Sequence, residues 1–242
     1  MFLSEDNMSQ AYSGGDLAMR LAAVRQEIDD AVRAANRHPD EITLITVTKY
    51  HPVALLDALY ALGVRDFGEN RHPESRNKAE HLHERYPDAR LHFIGQLQRN
   101  KARQVGRYAD CIQSIDRIEL VEALAKLERE PNAPLEVAMQ LSLDGDTARG
   151  GVPVAQAEAL AEAIAATPTL RLCGVMAVAP LEANAEEAFA STREASERIR
   201  KIVPEATMLS MGMSHDFRSA ISQGATHLRI GTAITGKRPD QP

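Results

Sequence analysis

Lys49 closes the run "ITLITVTK" (Ile42–Lys49), a β-branched stretch with Pro52 just beyond it. A primary amine held at the tip of a buried strand is partly desolvated, which favours the free base that condenses with an aldehyde. Alternation places Ile45 and Val47 on the side of Lys49. A lysine at such a tip also snorkels into solvent in the ordinary case, so both readings stay open on this residue alone. Near the other end, "SMGMS" (Ser210–Ser214) and "RIGTAITG" (Arg229–Gly236) combine glycines with hydroxyl side chains. Gly212 and Gly231 let main-chain N–H groups approach an anion, and Ser210, Ser214 and Thr232 add donors, although plain turns use the same residue types. Arg229 lies two residues before Gly231 and shares its side of the strand. A buried arginine is costly unless something accepts from it, either a core carboxylate or a ligand nitrogen.

These residues need elements to bring them together. From Asp16 to about Asn36, Leu17, Leu21, Val24, Ile28 and Val32 recur at helical spacing. Eight short apolar runs follow, Ile42–Lys49, Val64–Asn70, Leu91–Gln96, Cys111–Asp116, Leu135–Leu143, Leu170–Ala179, Thr207–Ser214 and Thr226–Ile234. Helical stretches are predicted between them, beginning near Pro52, Pro73, Asn100, Arg117, Val154, Asn184 and His215. This is the pattern of an α/β chain folded as a (β/α)8 TIM barrel with an extra N-terminal helix. An open doubly wound sheet is the alternative, but no GxGxxG follows the first strand. No eighth helix is readable after the last strand, and the N-terminal helix is expected to cover that gap. In such a barrel chemistry collects at the C-terminal ends of the strands, with phosphate often bound after strands seven and eight. Lys49, "GEN" (Gly68–Asn70), "SMGMS" and "RIGTAITG" all fall at that rim.

Composition narrows the classes. The 242 residues are 44% hydrophobic and only 4% aromatic, enough for one barrel domain over 16–242 with a core of branched aliphatics. Residues 1–15 read as a disordered leader, not a signal peptide, since no basic segment opens them. The net charge of −6 is evenly mixed, so nucleic acid is not an expected partner. No apolar run reaches membrane-span length. Cys111 and Cys173 both read as buried thiols in a reducing compartment, and the location expected is cytoplasmic. No metal site is readable: His81 and His83 lie on a polar helical stretch and read as solvated, and "DGD" (Asp144–Asp146) reads as a turn. The chain is expected to be a monomer.

An imine-forming lysine, a phosphate cradle and a ring-nitrogen partner together fit pyridoxal 5'-phosphate (PLP). The segments "VTKYHP", "FGEN", "HFIGQLQRNK", "SIDR", "GVMAVAP", "LSMGMSHDF" and "LRIGTAITG" also resemble, in order and spacing, the PLP homeostasis protein family (YggS-like, PROSC), from about Leu17 to Lys237. The resemblance implies the fold-type III barrel shared with the N-terminal domain of alanine racemase. It implies a Schiff base of PLP on Lys49, Arg229 facing the pyridine nitrogen, and Ser210, Ser214, Gly231 and Thr232 holding the phosphate. Asn70 would lie beside the cofactor; His92 and Asn100 match family positions without an assigned contact. Tyr50-His51 and His72-Pro73 depart from the family pattern beside the lysine motif and bear on the entrance of the pocket.

A cation at the pyridine nitrogen disfavours its protonation and weakens the ring as an electron sink. No further domain of the kind that supplies the racemases' tyrosine is expected after the eighth strand, and Tyr50 is expected to pack outside the barrel. The expectation is a PLP-binding protein of vitamin B6 homeostasis without robust catalysis, with PLP-dependent apoenzymes as candidate recipients. Two alternatives stand: a weak fold-type III enzyme such as an amino-acid racemase, and a PLP-free, aldolase-like barrel acting on a phosphorylated sugar.

Overall fold

The computed structural model describes residues 15–128, 133–146, 150–180 and 182–236. The expected leader lies outside them except for Gly15, which opens α1 (Gly15–Ala34). Helix α1 buries Leu17, Leu21, Val24, Ile28 and Val32, the stripe that the spacing predicted.

The strands follow in the predicted order: β1 (Thr43–Val47), β2 (Asp66–Glu69), β3 (Arg90–Phe93), β4 (Cys111–Ile115), β5 (Leu135–Ser142), the two-residue β6 (Val152–Pro153), β7 (Leu170–Met176), β8 (Met208–Ser210) and β9 (His227–Ile230). Strand β6 pairs only with the end of β5. The other eight are parallel, and the pairings β1–β9 and β4–β5 close them into a ring. Between them run α2 (Val53–Ala61), α3 (Glu74–Arg85), α4 (Arg99–Tyr108), α5 (Ile118–Leu124), α6 (Ala157–Ala165), α7 (Ala185–Ile199) and α8 (Phe217–Ser222). A one-turn helix, α9 (Thr232–Thr235), follows β9. Helix α1 packs against α8 and α9, and Arg20 Nε donates to Ile234 O at 2.7 Å. The N-terminal helix therefore covers the position that an eighth barrel helix would fill.

Alternation sorts each strand between two environments. Leu44, Phe67, Leu91, Ile112, Val137, Leu172, Leu209 and Leu228 join one apolar layer beneath the helices. The opposite face turns into the barrel, where a Cβ on Gly68 would meet Ile45 at 3.0 Å and Val47 at 3.3 Å. This agrees with the inward side expected for the strand of Lys49. Much of the interior is polar: Gln113 and Ser210 are fully buried, and His92 and Arg229 nearly so.

Two strands end sooner than their apolar texture suggests. Strand β8 stops at Ser210 because Gly212 takes φ +92° and turns the chain away. Strand β9 stops at Ile230, and Gly231 leads into α9. Both thiols are free. Cys111 is buried as expected, but Cys173 is only half-buried, because the lower mouth of the barrel opens beside it. Among the described residues no helix is long and apolar enough to cross a membrane.

The β3 tip crosses the β2 tip so closely that a Cβ on Gly95 would lie 2.2 Å from Asn70 O. Gly95→Ala is expected to cost about 2 kcal/mol or more, because main chain rather than a flexible side chain must yield. Urea unfolding of the variant checks it; a loss under about 0.5 kcal/mol, the scale of a neutral surface change, would contradict the close crossing.

Candidate cofactor site

Lys49 stands two residues beyond β1, half-buried, on a turn rather than on the strand itself. Its neighbours are held from both sides. Thr48 N donates to Gly68 O at 3.0 Å, and Thr48 Oγ1 donates to Glu69 Oε1 at 2.7 Å. Tyr50 N donates to Glu74 Oε1 at 2.9 Å. Lys78, on α3, ties these together: its ammonium donates to Thr48 O at 2.8 Å, Glu69 Oε1 at 2.7 Å and Glu74 Oε1 at 2.8 Å. Three acceptors saturate its three protons, which is what a buried ammonium requires. Lys78 is 3% exposed and Glu69 0%, and burial pushes the Glu69 carboxyl up against the opposing pull of Lys78. The clamp permits an unusual backbone. Tyr50 takes φ +68°, with the Arg71 guanidinium 4.9 Å from its ring centre. Tyr50 is therefore not a strand residue packed outside the barrel, as expected, but the left-handed corner that follows Lys49.

Across the barrel, Arg229 is 4% exposed, and among the described residues no carboxylate forms a salt bridge with it. Its Nη1 donates to Ser210 Oγ and its Nη2 to Ala177 O, both at 2.8 Å. Burial pushes its guanidinium down to about 10, partly opposed by the charge of Asp216. The core ion pair that would have explained this residue is absent among the described residues, and a cation so placed suits a further acceptor in the barrel mouth. Ser210 is brought to Arg229 rather than to the strand tips. Its hydroxyl accepts from the guanidinium and donates to Gln113 Oε1 at 2.6 Å.

The tips of β8 and β9 carry the remaining predicted residues. Ser214 is half-buried and Thr232 exposed, and neither hydroxyl makes a hydrogen bond with a described residue. The amides of Gly212, Ser214, Thr232 and Ala233 are likewise unspent within the described chain. Asp216 accepts from Met213 N at 2.5 Å, so that amide is already taken, and α8 begins at Phe217, two residues later than predicted. Gly231 lies against β1, where its Cβ would stand 3.4 Å from Val47 Cβ. Asn70, at the tip of β2, keeps its Oδ1 buried without a partner. Asn100 is exposed at the start of α4. His72 sets its ring against Tyr108, with centres 5.9 Å apart.

Several of these contacts were not legible beforehand. Lys78 looked like one more charge on a polar helix. Ser75, Ala79 and Leu82 recur at helical spacing on the buried face, and Lys78 lies among them. His81 is half-buried and His83 exposed, and each also pairs with a carboxylate, Asp57 at 2.7 Å and Asp110 at 2.9 Å. Asp144 Oδ1 accepts from Asp146 N at 3.0 Å, as in the turn expected there. Among the described residues no group of side chains is arranged to hold a metal ion.

The model of the alanine racemase N-terminal domain matches residues 19–239. The pyridoxal phosphate homeostasis protein of Corynebacterium glutamicum is 38% identical over 223 residues, covering 89% of this chain and 99% of the relative. The chain belongs to the pyridoxal phosphate homeostasis protein family. The Escherichia coli K12 member is 36% identical over 227 residues, covering 92% of this chain and 97% of the relative. Among solved structures, Synechococcus elongatus PipY with PLP bound superposes with a TM-score of 0.78 at 33% identity, covering 91% of this chain and all of PipY. Alanine racemase of C. glutamicum, at 18% identity and TM-score 0.66, shares the fold; 90% of this chain matches 61% of that one.

The buried clamp around the Lys49 turn gives a direct test. Lys78→Met leaves Glu69 as an unpaired buried carboxylate and is expected to cost about 3 kcal/mol or more. The double variant Glu69→Leu/Lys78→Met should recover part of that loss. Urea unfolding of wild type, Lys78→Met, Glu69→Leu and the double variant decides the matter, and simple additivity of the two single losses would mean that the pair is not coupled.

Proposed function

We propose that this protein binds PLP at the mouth of the barrel, captures it on Lys49, and serves intracellular PLP (vitamin B6) homeostasis without robust catalysis. The observation that carries the reading is Arg229, a buried cation that pairs with no carboxylate among the described residues and sits below the turn that bears Lys49. It is matched to a neutral ring nitrogen that accepts a hydrogen bond, and poorly matched to an apolar core.

The residues present fit the group. Lys49 supplies the amine for the aldehyde. The unspent amides of Gly212, Ser214 and Thr232 and the hydroxyls of Ser214 and Thr232, gathered around Gly231, supply donors for a phosphate. The orphaned Oδ1 of Asn70 offers an acceptor at the β2 tip. Ser210 acts through Arg229, whose orientation it sets. When bound, PLP supplies a reactive aldehyde and an electron-withdrawing ring. Arg229 keeps a positive charge where a ring-nitrogen proton would sit, so the ring stays a poor electron sink and turnover is suppressed. The same reading carries a cytoplasmic location, a monomer, and release of PLP to PLP-dependent apoenzymes.

The test is the visible spectrum of the purified protein with added PLP, before and after borohydride. Wild type should show a band and yield, after reduction, a pyridoxyl adduct mapped to Lys49 by peptide mass spectrometry; Lys49→Ala should lose that adduct. Gly231→Ala places its methyl at ordinary contact distance from Val47, so it should fold normally yet bind PLP about tenfold more weakly, roughly 1.4 kcal/mol. No band with PLP in excess would overturn the cofactor assignment. Rapid exchange of an amino acid's Cα hydrogen with solvent, lost in Lys49→Ala, would replace the carrier with an enzyme.

A further inference from the structure

Arg229 is one end of a hydrogen-bonded chain that crosses the barrel. Ser210 Oγ accepts from Arg229 Nη1 at 2.8 Å and donates to Gln113 Oε1 at 2.6 Å. Gln113 Nε2 meets His92 Nδ1 at 3.0 Å, and His92 Nε2 meets Asp66 Oδ1 at 2.8 Å. Five residues from β9, β8, β4, β3 and β2 take part. Ser210, Gln113 and His92 are at most 1% exposed, while the Asp66 side chain is 22% exposed at the N-terminal end of the barrel.

With a single proton on the His92 ring, the donor and acceptor roles admit one direction. A guanidinium only donates, so Ser210 must accept from it and can pass its own single proton only to Gln113. The Gln113 amide then presents its NH2 to His92, which requires a bare Nδ1. The imidazole proton is left on Nε2, where the Asp66 carboxylate accepts it. Turning the Gln113 amide over would set C=O against a bare Nδ1 and leave the Ser210 proton without its acceptor, both in a buried site. Asp66 thus selects the tautomer of His92, His92 selects the amide orientation of Gln113, and Gln113 turns the Ser210 lone pair toward Arg229. His227, whose ring centre lies 6.5 Å from that of His92, stays neutral beside this end. A polar string of this length is not needed to fill a barrel, since aliphatic side chains pack the same volume at no desolvation cost.

We propose that Asp66, His92 and Gln113 are positioning residues for Arg229, forming a one-way relay that orients the guanidinium toward the cofactor's ring nitrogen from the opposite end of the barrel. The proposal rests on the reading of Arg229 as the ring-nitrogen partner, and it extends the site to three residues that never touch the cofactor.

The experiment follows loss of PLP from the loaded protein on dilution, by the visible band, in wild type, Gln113→Leu, Asp66→Leu and Asp66→Asn, with the melting temperature of each. Gln113→Leu and Asp66→Leu should release PLP at least fivefold faster and shift the band. Asp66→Asn keeps an acceptor at the same place and should restore most of the wild-type behaviour. Should Gln113→Leu fail to fold, Asp66→Leu carries the test from a partly exposed position at the N-terminal end of the barrel. In the apoprotein, 15N shifts of labelled histidine should report a single Nε2–H tautomer for His92 that becomes mixed in Asp66→Leu. Release rates and band positions within twofold and unshifted in Asp66→Leu and Gln113→Leu, whatever their melting temperatures, would reduce the chain to a structural network and overturn the relay. A wild type that takes up no PLP would instead overturn the cofactor reading, and the relay with it.

Discussion

The structure depends on keeping a positive charge inside a barrel with no carboxylate paired to it among the described residues. Arg229 is nearly inaccessible, and its contacts are a serine hydroxyl and a main-chain carbonyl. Neutral acceptors of this kind satisfy the donors of a guanidinium but do not cancel its charge. That leaves its electrostatic demand directed into the barrel mouth, where Lys49, Gly231 and the β8 tip converge. A carboxylate in the same place would have closed the demand locally and made Arg229 a structural residue.

Two buried polar systems flank that arrangement, one on each side of the sheet. Inside the ring, the string from Arg229 to Asp66 occupies inward positions on five strands and sets one orientation per group. Outside the ring, between sheet and α3, Lys78 gathers Thr48, Glu69 and Glu74 and so holds the residues on either side of Lys49. The first system concerns where a cation points, the second where an amine stands. Lys49 itself is left out of both, and its ammonium makes no hydrogen bond or ion pair with a described residue. An amine meant to react with an aldehyde is better kept out of ion pairs, which would hold its proton. The neighbouring main chain, rather than the lysine's own charge, does the holding.

The thiols illustrate the contrast between reactive and inert groups in one fold. Burial pushes the Cys111 thiol well up and Cys173 to about 11, so both stay protonated at neutral pH at the end of the barrel opposite the site. The proposed site lies at the C-terminal ends of the strands, where glycines at 212 and 231 stop the strands and leave amides unspent within the described chain.

Much of this was legible in the order of residues. Eight β-branched runs separated by helical stretches state a barrel because strand and helix periodicities are local properties of the chain. Lys49, Asn70, Ser214, Arg229, Gly231 and Thr232 could be placed at or near strand ends for the same reason, and the spacing of α1 predicted its buried stripe. What only the tertiary structure decided was partnership. Glu69 and Lys78 are nine residues apart in sequence, but Ser210 and Gln113 are 97 apart, and neither pair carries a local signature. Whether Ser210 serves the strand tips or Arg229, whether Tyr50 continues a strand or turns a left-handed corner, and whether Arg229 meets a carboxylate all depend on which side chains closure of the sheet brings face to face. Local sequence sets the period of an element and the side each residue takes, while hydrogen-bond partners are chosen by the packing of elements far apart along the chain.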